Sequence, residues 1–269
     1  MNSSENVFPV FIFDLEILSK LENKEDKRVD FILQALQTLN KYLEKSGKAI
    51  KILHGKPLEI FKNLAETEEL EAVFCNEDYE ATAIRRDQEI ADFLKTKAIN
   101  FCTFKDQVHF HKDEILKADG SPYTIYTPYS KQWLIKYQEE QITSFESEKL
   151  LKNLINVEKQ TFSLKDIGFE KTEFEFQIPN INTDILKSYD ETRNFPEVPT
   201  SHMSVHLRFG TISVRKLASE GKKLNATYLK ELIWREFFTQ ILYHFPRVVN
   251  ESFKKKYDIT LIGMPNWDG

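Results

Sequence analysis

The sequence is poor in cysteine and glycine, and it contains no long run of apolar residues. Two cysteines in 269 residues exclude a disulfide-stapled scaffold and any four-cysteine zinc or iron–sulfur site. With only eight glycines, the chain has neither a G-x-G-x-x-G nor a G-x-x-x-x-G-K-[ST] phosphate loop. No apolar stretch approaches the roughly 20 residues of a membrane span, and the first residues do not resemble a signal peptide. We therefore expect a soluble, reduced, cytoplasmic protein.

Charge is unevenly distributed along the chain, although the net charge is only −5. Residues 200–258 carry eleven Lys and Arg against five Asp and Glu, a balance of +6, whereas residues 1–199 carry 26 against 36, a balance of −10. We therefore expect the C-terminal part to bind any polyanionic partner. A solvated face around Lys254–Lys256 is the alternative explanation.

Residues 7–104 alternate between apolar runs of strand length and segments with helical periodicity. We expect strands at Val7–Phe13, Ile50–Leu53, Ala72–Cys75 and Phe101–Phe104, and helices at Val29–Lys45, Pro57–Glu66 and Thr82–Lys97. In the last helix, Ile84, Ile90, Ala91 and Leu94 should face inward. Alternating strands and helices need crossover connections, which predicts a parallel, Rossmann-like α/β domain.

The alternation ends near residue 105. A long connection with short helices, Ser130–Tyr137 among them, is expected as far as residue 188. Beyond it only helical patterns remain, and these are Ser201–Phe209, Ser213–Glu220 and Asn225–Phe245, closed by Gly210, Gly221 and Pro246 respectively. The C-terminal part is therefore predicted to be all-helical.

Few residue clusters point to metal or acid–base chemistry. Cys75 and Cys102 fall on expected buried strands, where a thiol commonly packs as a small hydrophobic group. His202 and His206 are four residues apart, on one face of a helix, but Met203 stands where a zinc-protease helix carries Glu. With no third ligand nearby and no Ser/His/Asp arrangement, we expect neither a metal site nor a hydrolytic triad.

The segment Thr200–Ser204 opens an expected helix, with Thr200 or Ser201 as its N-cap. Unpaired backbone N–H groups, the positive end of the helix dipole and adjacent hydroxyls together suit a phosphate group. Ordinary capping explains the same residues and is the commoner case. Taken alone, the segment favours capping.

The helical segment Leu229–Tyr243 is apolar on most sides and should be buried. Glu231, Trp234 and Arg235 lie at i, i+3 and i+4, so they share one face of it. Either the acid pairs with the guanidinium beside the indole, or the three line a cavity where the indole stacks on a flat ring and the acid accepts from a base edge. The spacing leaves both alternatives open.

Four motifs resemble those of the DNA photolyase/cryptochrome family. Residues 231–237 (ELIWREF) resemble its bacterial class I cyclobutane-dimer photolyases in particular. The other motifs stand in the family's order, and they are Asn76–Glu80 with Arg86 and Asp87, Tyr123–Tyr129 (YTIYTPY), and Tyr189–Pro196 (YDETRNFP) followed by Thr200–Ser204 (TSHMS). The similarity extends from about Val7 to Asp258.

The resemblance implies a flavin site and a DNA site. The residues that match the family's FAD-binding positions are Tyr189, Thr200, Ser201, His202, Met203 and Ser204, with the last five at the phosphates. Arg235 matches a position between flavin and DNA, and Arg193 matches a DNA-contacting arginine. Trp234 is expected to stack on a flipped-out pyrimidine dimer and Glu231 to hydrogen-bond to it. The implied partner is UV-damaged DNA, bound by a monomer.

The implied reaction is light-driven repair of cyclobutane pyrimidine dimers by an electron from excited, reduced FAD. It needs no metal and no acid–base pair, and no catalytic side chain is expected in this chain because the family's relay tryptophans lie beyond its last residue. An antenna chromophore of the folate or deazaflavin type is also possible by resemblance. Thr82 and Ala83, however, stand where folate-binding relatives carry Asn and Glu.

The resemblance also divides the chain. Residues 1–126 correspond to the α/β antenna domain without its first strand, residues 127–188 to a linker with short helices, and residues 189–269 to the beginning of a helical FAD-binding domain. The sequence thus looks truncated at both ends, and its activity alone is expected to be weak or absent. A blue-light-sensing cryptochrome and a non-enzymatic remnant that folds only as the α/β domain are the rival interpretations.

Overall fold

The computed structural model describes residues 6–139, 146–157 and 161–257, so the tail 259–269 lies outside the described residues. Strands and helices alternate first, and helices follow. In chain order they are β1 Val10–Asp14, α1 Leu15–Leu18, α2 Lys27–Leu43, β2 Lys51–Gly55, α3 Pro57–Thr67, β3 Ala72–Asn76, α4 Ala81–Thr96, β4 Asn100–Phe104, α5 Tyr126–Glu139, α6 Thr183–Lys187, α7 Tyr189–Thr192, α8 Met203–Arg208, α9 Val214–Leu224 and α10 Ala226–His244.

The predicted class, an α/β part followed by a helical part, is confirmed. All strand pairing between these elements is parallel, as the crossover helices require. The four strands form two separate pairs, β1–β2 with Phe11 opposite Ile52 and β3–β4 with Phe74 opposite Cys102. Helix α2 packs on one face of β1–β2 through Val29 and neighbouring apolar residues, whereas α3 and α4 pack together against β3–β4.

Three expectations about individual residues are wrong. Ile84 is not inward-facing but 39% exposed, because α4 buries only the narrow stripe that contains Ile90 and Leu94. Cys75 and Cys102 are half-buried rather than core residues, since both strands of their pair are partly open to solvent. Burial and nearby acidic groups still raise the pKa of the Cys75 thiol to about 11.

The helical core is built around α10. Its side chains pack with those of α5 and α9, and the fully buried members of this core include Trp133, Tyr137, Leu217 and Ile233. Helix α5 is longer than the expected Ser130–Tyr137 because its first turn also contributes a ring to this core. Asn225 caps the N-terminus of helix α10, and its side chain accepts from the N–H groups of Thr227 and Tyr228.

The connection between the two parts is bound back onto α2. The buried Asp30 carboxylate accepts from the backbone N–H and the hydroxyl of Thr172 at 2.8 and 2.7 Å. The Gln34 side-chain amide donates to the Phe174 carbonyl and accepts from the Phe176 N–H, as the backbone of a neighbouring strand would. Phe31 then contacts rings on both sides, and these are Phe174, Phe176, His206 and Phe209. The α/β part therefore supports α8 directly.

Gly221, expected to end α9, lies inside it. A Cβ at this position would meet the Leu229 N and Cα atoms at 3.3 Å, so the glycine permits close approach of α9 and α10. Among the described residues, no helix is long and apolar enough to cross a membrane.

Substitution Gly221→Ala tests this close approach. Alanine favours an isolated helix by about 1 kcal/mol, but overpacking against backbone costs about 1–3 kcal/mol, so we expect a net loss of about 1 kcal/mol in the free energy of unfolding. Urea denaturation followed by circular dichroism measures it. Lys216→Ala, an exposed change in the same helix, should leave the midpoint nearly unchanged, and an increase in stability for Gly221→Ala would contradict the packing argument.

Candidate functional site

One face of α10 carries the acid, the indole and the guanidinium that the sequence singled out, and they have separate partners. Glu231 forms an ion pair with Arg193, which follows α7, and both side chains are 37% exposed. The guanidinium of Arg235 instead donates to the carbonyls of Gln107 at 2.6 Å and Leu207 at 3.4 Å. The internal Glu231–Arg235 pair, one of the two alternatives, is therefore not formed.

Trp234 lies against another aromatic ring. The Tyr126 ring stacks on it with centroids 3.5 Å apart and planes within 5°. The Tyr126 hydroxyl donates to the Lys230 carbonyl at 3.0 Å, which fixes the stacked pair to α10. Phe238, 60% exposed, lies 5.4 Å from the indole and nearly parallel to it. Together these rings form an aromatic surface next to the Arg193–Glu231 pair.

Tyr189 lies beside the same ion pair. The Arg193 guanidinium carbon is 5.9 Å from its ring centre, and the ring packs edge-on against Tyr228 at 5.2 Å. Partial burial, with the negative charge of Glu231 nearby, raises the pKa of Tyr189. Arg193, Tyr189, Glu231 and Trp234 thus form one continuous region, which we call the Arg193–Trp234 surface.

The segment Thr200–Ser204 differs in detail from the sequence expectation. Helix α8 begins after His202, which has a left-handed backbone with φ 51° and makes no side-chain cap, so neither Thr200 nor Ser201 is the N-cap. Thr200 and Ser204 are exposed, and Ser201 lies close to the Tyr228 phenol. Through Tyr228 the segment lies next to Tyr189. The hydroxyls of Thr200 and Ser204 have no hydrogen-bond partner within the described part of the chain.

The two histidines of this segment do not share a helix face. His202 precedes α8, whereas His206 is buried inside it, with Nδ1 2.8 Å from the Thr211 hydroxyl. Burial lowers the pKa of His206. Within residues 6–139, 146–157 and 161–257, no three His, Cys, Asp or Glu side chains are placed to hold a metal ion.

Sequence reasoning missed Glu236, which is the most deeply buried charged group in α10. Its carboxylate accepts from the backbone N–H of His109 at 2.7 Å and of Phe110 at 3.0 Å, and from the Trp133 indole N–H at 2.7 Å. Burial raises its pKa to about 7. The sequence does contain one indication of it. An acidic residue between Arg235 and Phe237, on a side of the helix that is otherwise apolar, indicates a buried carboxylate that has hydrogen-bond partners.

Part of the basic charge of the C-terminal part is used inside the protein. Arg208 pairs with Glu80 at 3.1 Å, and Arg215 pairs with Asp106, so two of the cations join the helical part to the acidic α/β part. A cavity of about 390 Å³ lies nearby between α4 and the end of α10, lined by Tyr79, Arg85 and Tyr243 among others. Thr82 and Ala83 do not line it.

The architecture is that of a parallel α/β part joined to a helical part whose long helix presents an acid, an arginine partner and a stacked tryptophan. The sequence model of the DNA photolyase family matches residues 1–147, more than half of the chain. The chain therefore belongs to the DNA photolyase family.

Individual relatives agree with this assignment. The chain is 30% identical to the deoxyribodipyrimidine photo-lyase of Halobacterium salinarum over 92% of its own length and 56% of that protein. It is 28% identical to the enzyme of the same name from a Synechococcus species, over 93% and 58%. An archaeal photolyase structure from Sulfolobus tokodaii has the same fold at 21% identity, with a TM-score of 0.72 over 96% and 58% of the two chains. The chain thus spans a little over half of the relatives that it matches.

Replacement of Glu236 by Gln should remove a pH-dependent part of the stability. Because the pKa is raised from its ordinary 4.5 to about 7 on folding, the favourable contribution is fully present below about pH 4.5 and is lost as the pH rises to about 7. The free energy of unfolding should therefore fall more steeply across this window in the wild type than in Glu236→Gln. Urea denaturation at several pH values measures both.

The matched control is Glu59→Gln, which alters an exposed carboxylate paired with Lys62. It should keep the wild-type pH dependence. Parallel curves for the wild type and Glu236→Gln would show that the buried carboxyl keeps the same pKa in the folded and unfolded chain.

Proposed function

We propose that this chain takes part in light-driven repair of cyclobutane pyrimidine dimers in DNA, as a flavoprotein that binds FAD. The observation that carries the proposal is the Arg193–Trp234 surface, where an exposed ion pair borders a stacked tryptophan. The membership of the photolyase family and the two relatives named above support the same function. The free cysteines Cys75 and Cys102 suit the reducing cytoplasm, which we include in the proposal together with a monomeric state.

FAD fits the residues around Thr200–Ser204. Two exposed hydroxyls, Thr200 and Ser204, and the turn at His202 offer donors to its phosphates, and Tyr189 lies beside them through Tyr228. Met203 is buried and so holds the segment in place rather than contacting a phosphate. When bound, reduced FAD excited by light supplies the electron that splits the cyclobutane ring. Arg235 would act by fixing the backbone of Gln107 and Leu207, since its guanidinium is already engaged there.

Damaged DNA fits the Arg193–Trp234 surface. An exposed ion pair is worth only about 0–1 kcal/mol, so Arg193 can turn to a phosphate and leave the Glu231 carboxylate to accept from the edge of an extruded base. The Tyr126 stack fixes the plane of the Trp234 indole before a base arrives, which lowers the ordering cost of stacking. Phe238 extends the same aromatic surface.

Removal of the stacking ring should weaken recognition of damage. Base–aromatic stacking contributes about 1–3 kcal/mol, so Trp234→Ala should weaken binding to a thymine-dimer oligonucleotide by about 5- to 150-fold and leave binding to undamaged DNA almost unchanged. Fluorescence anisotropy measures both affinities, and absorbance measures repair under blue light. Phe104→Ala removes an exposed ring from β4, outside the Arg193–Trp234 surface, and should have no effect. Equal loss for both variants would contradict the proposal.

Flavin binding has its own test. The double substitution Thr200→Ala with Ser204→Ala removes two hydroxyls, and a hydrogen bond to a charged group contributes about 1.5–3 kcal/mol, so the affinity for added FAD should fall at least about tenfold. Titration of flavin fluorescence measures it. Thr67→Ala, which removes an exposed hydroxyl at the end of α3, should bind as the wild type does. A wild-type chain that binds no FAD would disprove this part of the proposal. The cryptochrome-type alternative is tested by a repair assay on the full-length parent protein, where bound FAD without repair would favour it.

A further inference from the structure

Asn225, at the start of α10, uses its whole side-chain amide in hydrogen bonds. The Oδ1 atom accepts from the N–H groups of Thr227 and Tyr228 at 2.9 and 3.1 Å. The Nδ2 group donates to the Lys187 carbonyl at 3.0 Å and to the Asp190 Oδ1 atom at 2.7 Å. Capping a helix needs only the oxygen, so the two bonds from Nδ2 are additional to it and connect α10 to another part of the chain.

The two acceptors of this Nδ2 group belong to the segment that carries two residues of the Arg193–Trp234 surface. Lys187 is the last residue of α6, and Asp190 lies in the first turn of α7. Helix α7 begins with Tyr189 and is followed directly by Arg193. The amide of Asn225 therefore fixes the position of α7 relative to α10, and with it the position of both side chains.

Helix α7 needs such external support. It has four residues, none of them buried, whereas an isolated helix needs about 12–15 residues to be stable in water. Two further contacts join this segment to α10, because the Tyr189 ring packs on Tyr228 and Arg193 pairs with Glu231. Both contacts use side chains that bind FAD or DNA in the proposed function. The bond from Asn225 is independent of either ligand, so it persists when Arg193 leaves Glu231 for a phosphate.

We propose that Asn225 is a positioning residue for Arg193 in DNA binding. This role rests on the proposed function, and it belongs to a side chain that itself touches neither DNA nor FAD. The Asn225 amide holds α7 on α10 after the Arg193–Glu231 pair has opened, so the guanidinium reaches a phosphate without the further cost of ordering its own helix. Phosphates are present in damaged and undamaged DNA alike, so Asn225 contributes equally to the binding of both.

Substitution Asn225→Ser separates the two uses of the amide. Serine caps a helix about as well as asparagine does, but it lacks the Nδ2 donor. We expect the affinities for a thymine-dimer oligonucleotide and for its undamaged counterpart to fall equally, by about threefold to tenfold, the equivalent of one hydrogen bond. Fluorescence anisotropy measures both affinities. The result differs from that expected for Trp234→Ala, which should weaken only the binding of damaged DNA.

Hydrogen–deuterium exchange, followed by NMR, reports on α7 in the absence of any ligand. The N–H groups of Thr192 and Arg193 donate to carbonyls one turn earlier. Their exchange should become faster by about threefold to tenfold in Asn225→Ser, because α7 opens more often without its bond to α10. Exchange at Phe237, in the middle of α10, should not change, since the cap of that helix is retained.

An exchange of the two bonded side chains provides a rescue. Asn225→Asp keeps the cap but places a carboxylate oxygen against Asp190, so it should weaken DNA binding at least as much as Asn225→Ser does. Asn225→Asp combined with Asp190→Asn restores the bond with donor and acceptor reversed, and it has the net charge of the wild type. This double variant should bind DNA at least about threefold more tightly than Asn225→Asp alone.

The matched control is Asn182→Ser, the same substitution at the cap of α6. Asn182 caps that helix through its Oδ1 atom, and its Nδ2 group donates to nothing in the described part of the chain. Both DNA affinities and the exchange at Thr192 and Arg193 should therefore equal those of the wild type.

Three results would overturn the role of Asn225. They are unchanged exchange in α7 of Asn225→Ser, equal DNA affinities of Asn225→Ser and Asn182→Ser, and no recovery in the double variant. If Asn225→Ser fails to fold, the comparison of Asn225→Asp with the double variant decides. A wild-type chain that binds neither oligonucleotide contradicts the proposed function and this role with it, whereas faster exchange in α7 with unchanged DNA affinity contradicts the role of Asn225 alone.

Discussion

The Glu236 carboxylate is the interaction on which the arrangement of the site depends. A carboxyl group buried this deeply is tolerated only when hydrogen-bond donors surround it, and here two backbone N–H groups and an indole N–H do so. These donors belong to the segment after β4 and to α5, so one side chain of α10 holds three parts of the chain in register. The Arg235 bonds to Gln107 and Leu207 add a second tie one residue earlier. The outer face of α10 is thereby fixed in orientation, and with it Glu231 and Trp234.

The two parts of the chain are joined by polar as well as apolar contacts. The acidic α/β part and the basic helical part attract each other through Arg208–Glu80 and Arg215–Asp106, and Phe31 connects α2 to α8 through rings on both sides. The α/β part consequently supports the segment Thr200–Ser204, although the residues expected to bind FAD all belong to the helical part. The uneven charge along the sequence therefore stabilises the contact between the two parts, in addition to attracting any polyanionic partner.

Periodicity was sufficient to predict the class of fold and most elements, because strands and amphipathic helices obey local rules. Gly221 shows where those rules fail: a glycine that locally predicts a helix end was instead needed for the contact with Leu229, which depends on tertiary packing. The spacing places Glu231, Trp234 and Arg235 on one face of a helix, as the structure has them in α10, but it does not predict their partners. Arg193 is 38 residues from Glu231 and Tyr126 is more than a hundred from Trp234, so neither pairing has a local signature. Glu236 was overlooked for the same reason.

The bonds that α10 makes to the segment after β4 have a consequence for how the chain acquires its structure. The backbone N–H groups of His109 and Phe110 bond the Glu236 carboxylate, which lies 126 to 127 residues later in the chain. Thr172 bonds the Asp30 carboxylate, 142 residues earlier. Closing such loops is entropically expensive, and contacts of this range slow folding. During synthesis the segment after β4 therefore stays without its Glu236 acceptor until α10 has left the ribosome. The bonds that orient α10 can form only after most of the chain has been made.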